Sequence, residues 1–210
     1  MPRILTLSRI YFLQMWQWRL WLALHTLLFP VGILFFLRVT GSGSDPQRLA
    51  AGAGLLSLAT ISINTTTYWI MTDRFERKRD LLMSLPIARY EYYAAIVLTA
   101  TVQALIVFHI LILAIHIFFA RVHYSLSVIP VITGIAFSFG IIGLMIGHAA
   151  KDSNHGGFLM NLCGAGIVFI CPVFYPASAL PHNLAHVAAF IPHTFFFRVI
   201  YELLNNGFLR

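Results

Sequence analysis

The chain has 210 residues, 59% hydrophobic and 10% charged, with a formal net charge of +7. Soluble domains are about a quarter charged, so the composition excludes an ordinary aqueous fold and leaves a membrane protein. The basic balance does not point to nucleic acid either, because outside one central cluster no run has the cation density that phosphate tracking needs.

Residues 1–18 come first and are too polar to cross a bilayer. Arg3, Thr6, Arg9, Gln14 and Gln17 fall close to one helical face, and Ile4, Leu7, Leu13, Met15 and Trp16 fill much of the rest. That pattern predicts an amphipathic helix lying in the membrane interface, with Trp16, Trp18 and Trp21 at headgroup level. A cleaved signal peptide would need an uninterrupted apolar stretch and a small-residue cleavage site, which the segment lacks.

Apolar runs of about 20 residues mark spanning helices. Five are expected, over Leu20–Leu37, Leu49–Met71, Ala94–Ala120, Leu126–Ala149 and Gly157–Tyr175. A sixth run, Leu184–Leu204, contains His186, Pro192, His193, Arg198 and Glu202. Each charge at bilayer depth costs roughly 2.5–3.5 kcal/mol on insertion scales, so this segment is expected to be only partly inserted. The fold class is therefore an all-α integral membrane protein, read as one transmembrane domain over residues 1–210. Cys163 and Cys171 lie within one apolar segment and read as small core residues.

Orientation follows from the basic residues. With the N-terminus in the cytoplasm, Arg3, Arg9, Arg19, Arg74, Arg77, Lys78, Arg79, Arg89 and Lys151 are inside, against Arg38, Arg48 and Arg121 outside. All seven acids, Asp45, Asp73, Glu76, Asp80, Glu91, Asp152 and Glu202, fall in loops, at span edges or in the tail. Proton-coupled carriers usually place an ionisable relay near the midplane. Energy for uphill transport is thus expected to enter from outside the membrane.

Histidine is the remaining intramembrane candidate. His109 and His116 are seven apart and share a helical face, which suits a proton relay or metal pair, but hydrogen bonding across a helix interface is the favoured reading. His182 and His186 have the i, i+4 spacing of a zinc pair, yet HNLAH carries no Glu and no third ligand is near, so no metal is expected. Asn64, Thr65, Thr66 and Thr67 form a polar patch read as helix packing in preference to a substrate path. Gly140, Gly143 and Gly147 permit close backbone approach, either within the chain or to a second protomer.

Nine of the twenty-one charged residues fall between Asp73 and Glu91. From Asp73 to Leu85 there are helix formers, no Gly or Pro, and acids early in the run, which suits the positive end of a helix dipole. Asp73 with Arg77, and Glu76 with Arg79, have ion-pair spacing, while Phe75, Leu81, Leu82 and Leu85 form an apolar side. Pro86 stops the helix, and Arg89, Tyr90, Tyr92 and Tyr93 anchor the re-entry. Acids, an apolar face and a sharp stop together predict a protein-docking surface over 73–86.

The run ERKRDLLMSLPIARYEYYAA, from Glu76 to Ala95, resembles the loop after the second span in permeases of type-2 ATP-binding-cassette exporters. The block CPVFYPASALPHNLAHVAAFIPHTFFFRVIYELLNNG, from Cys171 to Gly207, is similar to the later region of that family. The resemblance implies a homodimer or pseudo-dimer of permeases in a bacterial or archaeal plasma membrane. Its 73–86 helix would sit in a groove of a separate cytoplasmic ATPase. Asp73, Arg74, Glu76, Arg77, Arg79 and Asp80 would then be docking residues, with Leu82, Leu85 and Pro86 shaping the helix. Phe174, Pro176, Pro181 and Pro192 would belong to a re-entrant outer gate within 174–204. Family members carry Gly-Thr or a similar pair where this chain has Arg79 and Asp80, and they continue into a last apolar span. The chain ends at Arg210, so that span is expected to be missing or replaced by Leu184–Leu204.

No GxxxxGK[ST] run occurs, so ATP and Mg are expected on the partner ATPase, with no cofactor and no catalytic residue on this chain. The rival readings are a self-sufficient channel or secondary carrier, and a membrane enzyme using His109, His116 or His148.

Overall fold

The computed structural model describes residues 2–17, 31–32, 35, 46–118, 128–166, 171–175 and 180–206. Among these, all regular structure is helical: α1 (Pro2–Gln17), α2 (Pro46–Phe75), α3 (Lys78–Met83), α4 (Arg89–Phe118), α5 (Val128–Ala149), α6 (Ser153–Asn161), a π-turn (Leu162–Gly166), α7 (His182–Phe190) and α8 (Pro192–Asn206).

Three helices are long and apolar enough to span a membrane: Gln47–Phe75, Arg89–Ile117 and Val128–Ala149. They correspond to the second, third and fourth predicted spans. The first, Leu20–Leu37, lies mostly outside the described residues, as do Trp18 and Trp21. The fifth, Gly157–Tyr175, is described only in part, with residues 167–170 outside the described set. Its described parts are the end of α6, the π-turn and a turn at Cys171–Tyr175. Leu184–Leu204 becomes two helices, α7 and α8, meeting at 76°. The bend follows from Pro192, which disfavours helical geometry in the residue before it; Ile191 is extended, with φ −77° and ψ 128°. If the pair counts as one broken or re-entrant span, the described residues hold four.

Helix ends obey local chemistry. Pro46 and Pro192 open α2 and α8, where no backbone donor is needed. Asp152 caps α6 by accepting from the His155 N–H at 2.8 Å. Glu91 reaches back to the Ala88 N–H at 3.0 Å, half of a capping box for α4.

The hub is α2, which packs against α4, α5, α6, the π-turn and α8. Small residues let its neighbours close in. A Cβ on Gly54 would meet the Phe108 ring at 2.5 Å, and one on Gly143 would lie 2.7 Å from the Ile63 carbonyl oxygen. Gly147 likewise abuts Ile70, and Gly140 abuts Val97 of α4. The predicted close approach of Gly140, Gly143 and Gly147 is therefore made within the chain.

Candidate coupling site and the Arg48 turn

At the end of the bundle where α2 finishes, the predicted helix over Asp73–Leu85 divides in two. Asp73, Arg74 and Phe75 complete α2, and Arg77 turns the chain in the left-handed region, at φ 57°, before the six residues of α3. A non-glycine residue at positive φ is uncommon and carries strain. The break also rearranges the expected ion pairs: Glu76 holds Lys78 at 2.5 Å, and that partner pushes the lysine's pKa up.

Asp73 is 2% exposed, and its Oδ2 accepts from the Tyr11 hydroxyl at 2.5 Å and the Tyr92 hydroxyl at 3.0 Å. One carboxylate thus joins three helices, α1, α2 and α4. Tyr11 packs edge-on against Trp69 at 5.1 Å, and burial, with Asp73 beside it, drives the phenol above its ordinary pKa. Arg3 of α1 also donates to the Pro86 carbonyl at 2.6 Å, so α1 grips both sides of α3. Its buried stripe is Leu7, Tyr11 and Met15, while Leu5, Ile10 and Leu13 stay exposed. Arg74 donates to the carbonyls of His148, at 2.8 Å, and Ala150, and its guanidinium covers the Phe75 ring at 4.6 Å. These contacts fasten the end of α5.

Little of α3 itself is covered. Leu82 packs, half-buried, beside Tyr11, Ile70, Tyr92 and Ile96. Leu81 is 69% and Leu85 49% exposed, and Glu76, Arg77, Asp80 and Pro86 are exposed, with Arg79 half-buried. The segment thus combines a supported base with a free surface mixing leucines and both signs of charge.

At the opposite end, Arg48 near the start of α2 donates to three carbonyls of the Cys171–Tyr175 turn: Val173 at 3.2 Å, Pro172 at 2.8 Å and Tyr175 at 2.5 Å. The guanidinium also lies 5.5 Å from the centroid of the Phe197 ring in α8. Phe174 and Val173 fill the space above Gly52, where a Cβ would meet Phe174 at 2.8 Å. Of the predicted gate residues, Phe174 lies in this turn, Pro181 caps α7 and Pro192 opens α8, while Pro176 is outside the described residues. The helices described within the expected 174–204 region are α7 and α8.

The polar patch on α2 is divided. Thr65 donates to Gln103 Oε1 at 2.7 Å and Thr67 to the Gly143 carbonyl at 2.9 Å, which are helix-packing bonds. By contrast, Asn64 Oδ1 and Thr66 Oγ1 are buried without a partner. His109 Nδ1 lies 2.6 Å from the Leu105 carbonyl of its own helix, and His116 is exposed. His148 meets the Tyr93 hydroxyl at 3.0 Å. No group of three His, Cys, Asp or Glu side chains converges among the described residues.

Sequence reasoning passed over Tyr11, and it read Tyr92 only as an anchor of the re-entry and Arg3 and Arg48 only as charges setting orientation, without their partners. A tyrosine on an apolar stripe and a lone arginine beside an apolar run were the available signals, but neither names its partner.

A long apolar hub with two helical neighbours of spanning length defines an integral membrane protein. The chain belongs to the family described as ABC-2 family transporter protein, whose pattern matches residues 40–209, and it is a permease of that type. No curated protein and no solved structure matches it.

Proposed function

We propose that the chain is the membrane subunit of an ATP-driven exporter whose separate cytoplasmic ATPase docks on α3. The observation that carries this reading is the mounting of α3: six residues with none buried, resting on Leu82 and flanked by the Asp73 and Arg3 contacts. A force applied to the exposed leucines and charges of α3 would pass directly to α2 and α4. The N-terminus then lies in the cytoplasm, with α1 along the inner interface, and two such subunits enclose the path. ATP and Mg belong to the partner, and the present chain carries no catalytic residue. Phe174, Pro181 and Pro192 lie at the outer gate.

Co-expression with candidate ATPases, comparing the native chain with a Glu76→Arg, Asp80→Arg variant, tests the reading. The expected result is loss of co-purification and of ATPase stimulation. If both survive the double charge reversal, ATPase docking on α3 is wrong.

A further inference from the structure

The first helix, α1, carries two stripes on opposite sides. Leu7, Tyr11 and Met15, four residues apart, are buried against the bundle. Leu5, Arg9 and Leu13 repeat that spacing two positions earlier, about 200° around the helix, and all three are exposed. Ile10 is exposed as well. The helix contains no acidic residue, and its other arginine, Arg3, is bonded to the Pro86 carbonyl. Arg9 is thus an exposed cation set between leucines.

The depth of this outer stripe follows from the helix beside it. At 30 residues α4 is about 45 Å long, roughly 15 Å more than the hydrocarbon of a bilayer. The excess belongs at its start, which holds Arg89 and Glu91, because from Ala94 to Phe118 there is no Asp, Glu, Lys or Arg. About 20 residues cross the hydrocarbon, and counted back from Phe118 they reach Thr99. That is where α1 is pinned: the Thr99 hydroxyl lies 3.0 Å from the Ser8 hydroxyl and 3.2 Å from the Ser8 carbonyl oxygen. Arg9, next in the chain, therefore stands at the boundary between acyl chains and headgroups. An arginine there extends its guanidinium to the phosphate level while neighbouring leucines bury in the acyl edge. The planar guanidinium matches the oxygens of a phosphodiester in charge and in geometry.

We infer that the outer stripe of α1 is a binding surface for anionic phospholipid, with the headgroup phosphate on Arg9 and the acyl-chain edge on Leu5, Ile10 and Leu13. The opposite stripe carries Tyr11, which serves Asp73, so lipid held on one side of α1 secures the contact on the other. Placing that lipid in the cytoplasmic leaflet rests on the exporter reading; the lipid contact itself does not.

Hydrogen exchange of the full chain, one copy per nanodisc, is compared in phosphatidylcholine and in phosphatidylcholine mixed with phosphatidylglycerol. Exchange across α1 should slow about fivefold in the anionic mixture, the effect of one cation at a charged membrane surface. Arg9→Gln should lose the difference between the lipids, and Arg9→Lys should keep most of it. Lys151→Gln, which removes a cation from the turn between α5 and α6, should leave it intact. Exchange across α5 unchanged from the native chain shows that the Arg9 variants are folded. Equal exchange of the native α1 in the two lipids overturns the proposal, because headgroup charge then plays no part in covering the stripe. A lipid effect that survives Arg9→Gln, or that Lys151→Gln abolishes equally, overturns it as a response of the whole basic surface. So does slowing by glycerol phosphate added to phosphatidylcholine nanodiscs, which would make the site one for a soluble anion. Assembly with an ATPase is scored separately. A chain that shows the lipid effect but never assembles loses the exporter reading and keeps the lipid surface, whereas one that assembles without the lipid effect does the reverse.

Discussion

The two ends of α2 are fastened by opposite means. At the α3 end a buried acid accepts from two tyrosines on two other helices, so side chain meets side chain. At the Arg48 end a single cation collects main-chain carbonyls from one turn, so side chain meets backbone. The first arrangement depends on the identity of three residues and ties three helices into one unit. The second depends mainly on the identity of Arg48, because any sequence in the turn supplies carbonyls. A joint that must transmit movement gains from the first kind, and a local strap needs only the second.

Breaking the acid should have the largest effect. Asp73→Leu leaves two buried phenols without an acceptor, at a cost of about 1–3 kcal/mol each. A large drop in the thermal unfolding temperature in detergent is expected, together with faster hydrogen exchange across α1. If exchange in α1 stays unchanged, Asp73 does not hold that helix. Arg48→Met removes the strap but leaves its carbonyls at the bundle end, so a smaller loss, about 1–2 kcal/mol, is expected. Exchange should rise in Cys171–Tyr175 and stay constant in α1; a uniform rise would erase the contrast between the ends. Tyr11→Phe is the mildest, at about 1 kcal/mol, since Tyr92 still serves the carboxylate.

Alkali sharpens the same comparison. The Tyr11 phenol has a folded pKa above its unfolded value of ~10, so its contribution is complete below that pH and is lost as the pH rises beyond it. Stability measured by chemical unfolding should therefore fall more steeply above pH ~10 in the native protein than in Tyr11→Phe; equal slopes would show that Tyr11 does not carry the effect.

Hydropathy alone located α2, α4 and α5 to within a few residues at most ends, because lipid demands long apolar runs whatever the tertiary fold. Pro192 likewise foretold a break. The division of the charged segment at Arg77 was invisible, since arginine has no preference for left-handed geometry and only the surrounding structure holds it there. The i, i+4 rule offered Asp73 a partner at Arg77, but tertiary packing supplied Tyr11, 62 positions away. Distance in sequence also hid Arg48 from its turn, 125 residues on at Val173. Gly52 and Gly54 went unremarked within an alanine-rich run, although Phe174 and Phe108 occupy the space their missing side chains leave. The unpaired oxygens of Asn64 and Thr66 are a property of assembled helices and have no trace in a one-dimensional pattern.

The placement of Gly143 and Gly147 against the backbone and Ile70 of α2 has a consequence for self-association. Membrane helices commonly dimerise through such small-residue stripes, but here the stripe is already consumed by the chain's own hub. A second copy approaching from the bilayer would meet Phe137, Ile141 and Met145 on α5, or Ile106, Ile110, Leu113 and Ile117 on α4, all exposed. Pairing of two copies would then rest on bulky, deformable side chains, a contact able to slide where a glycine seam would lock.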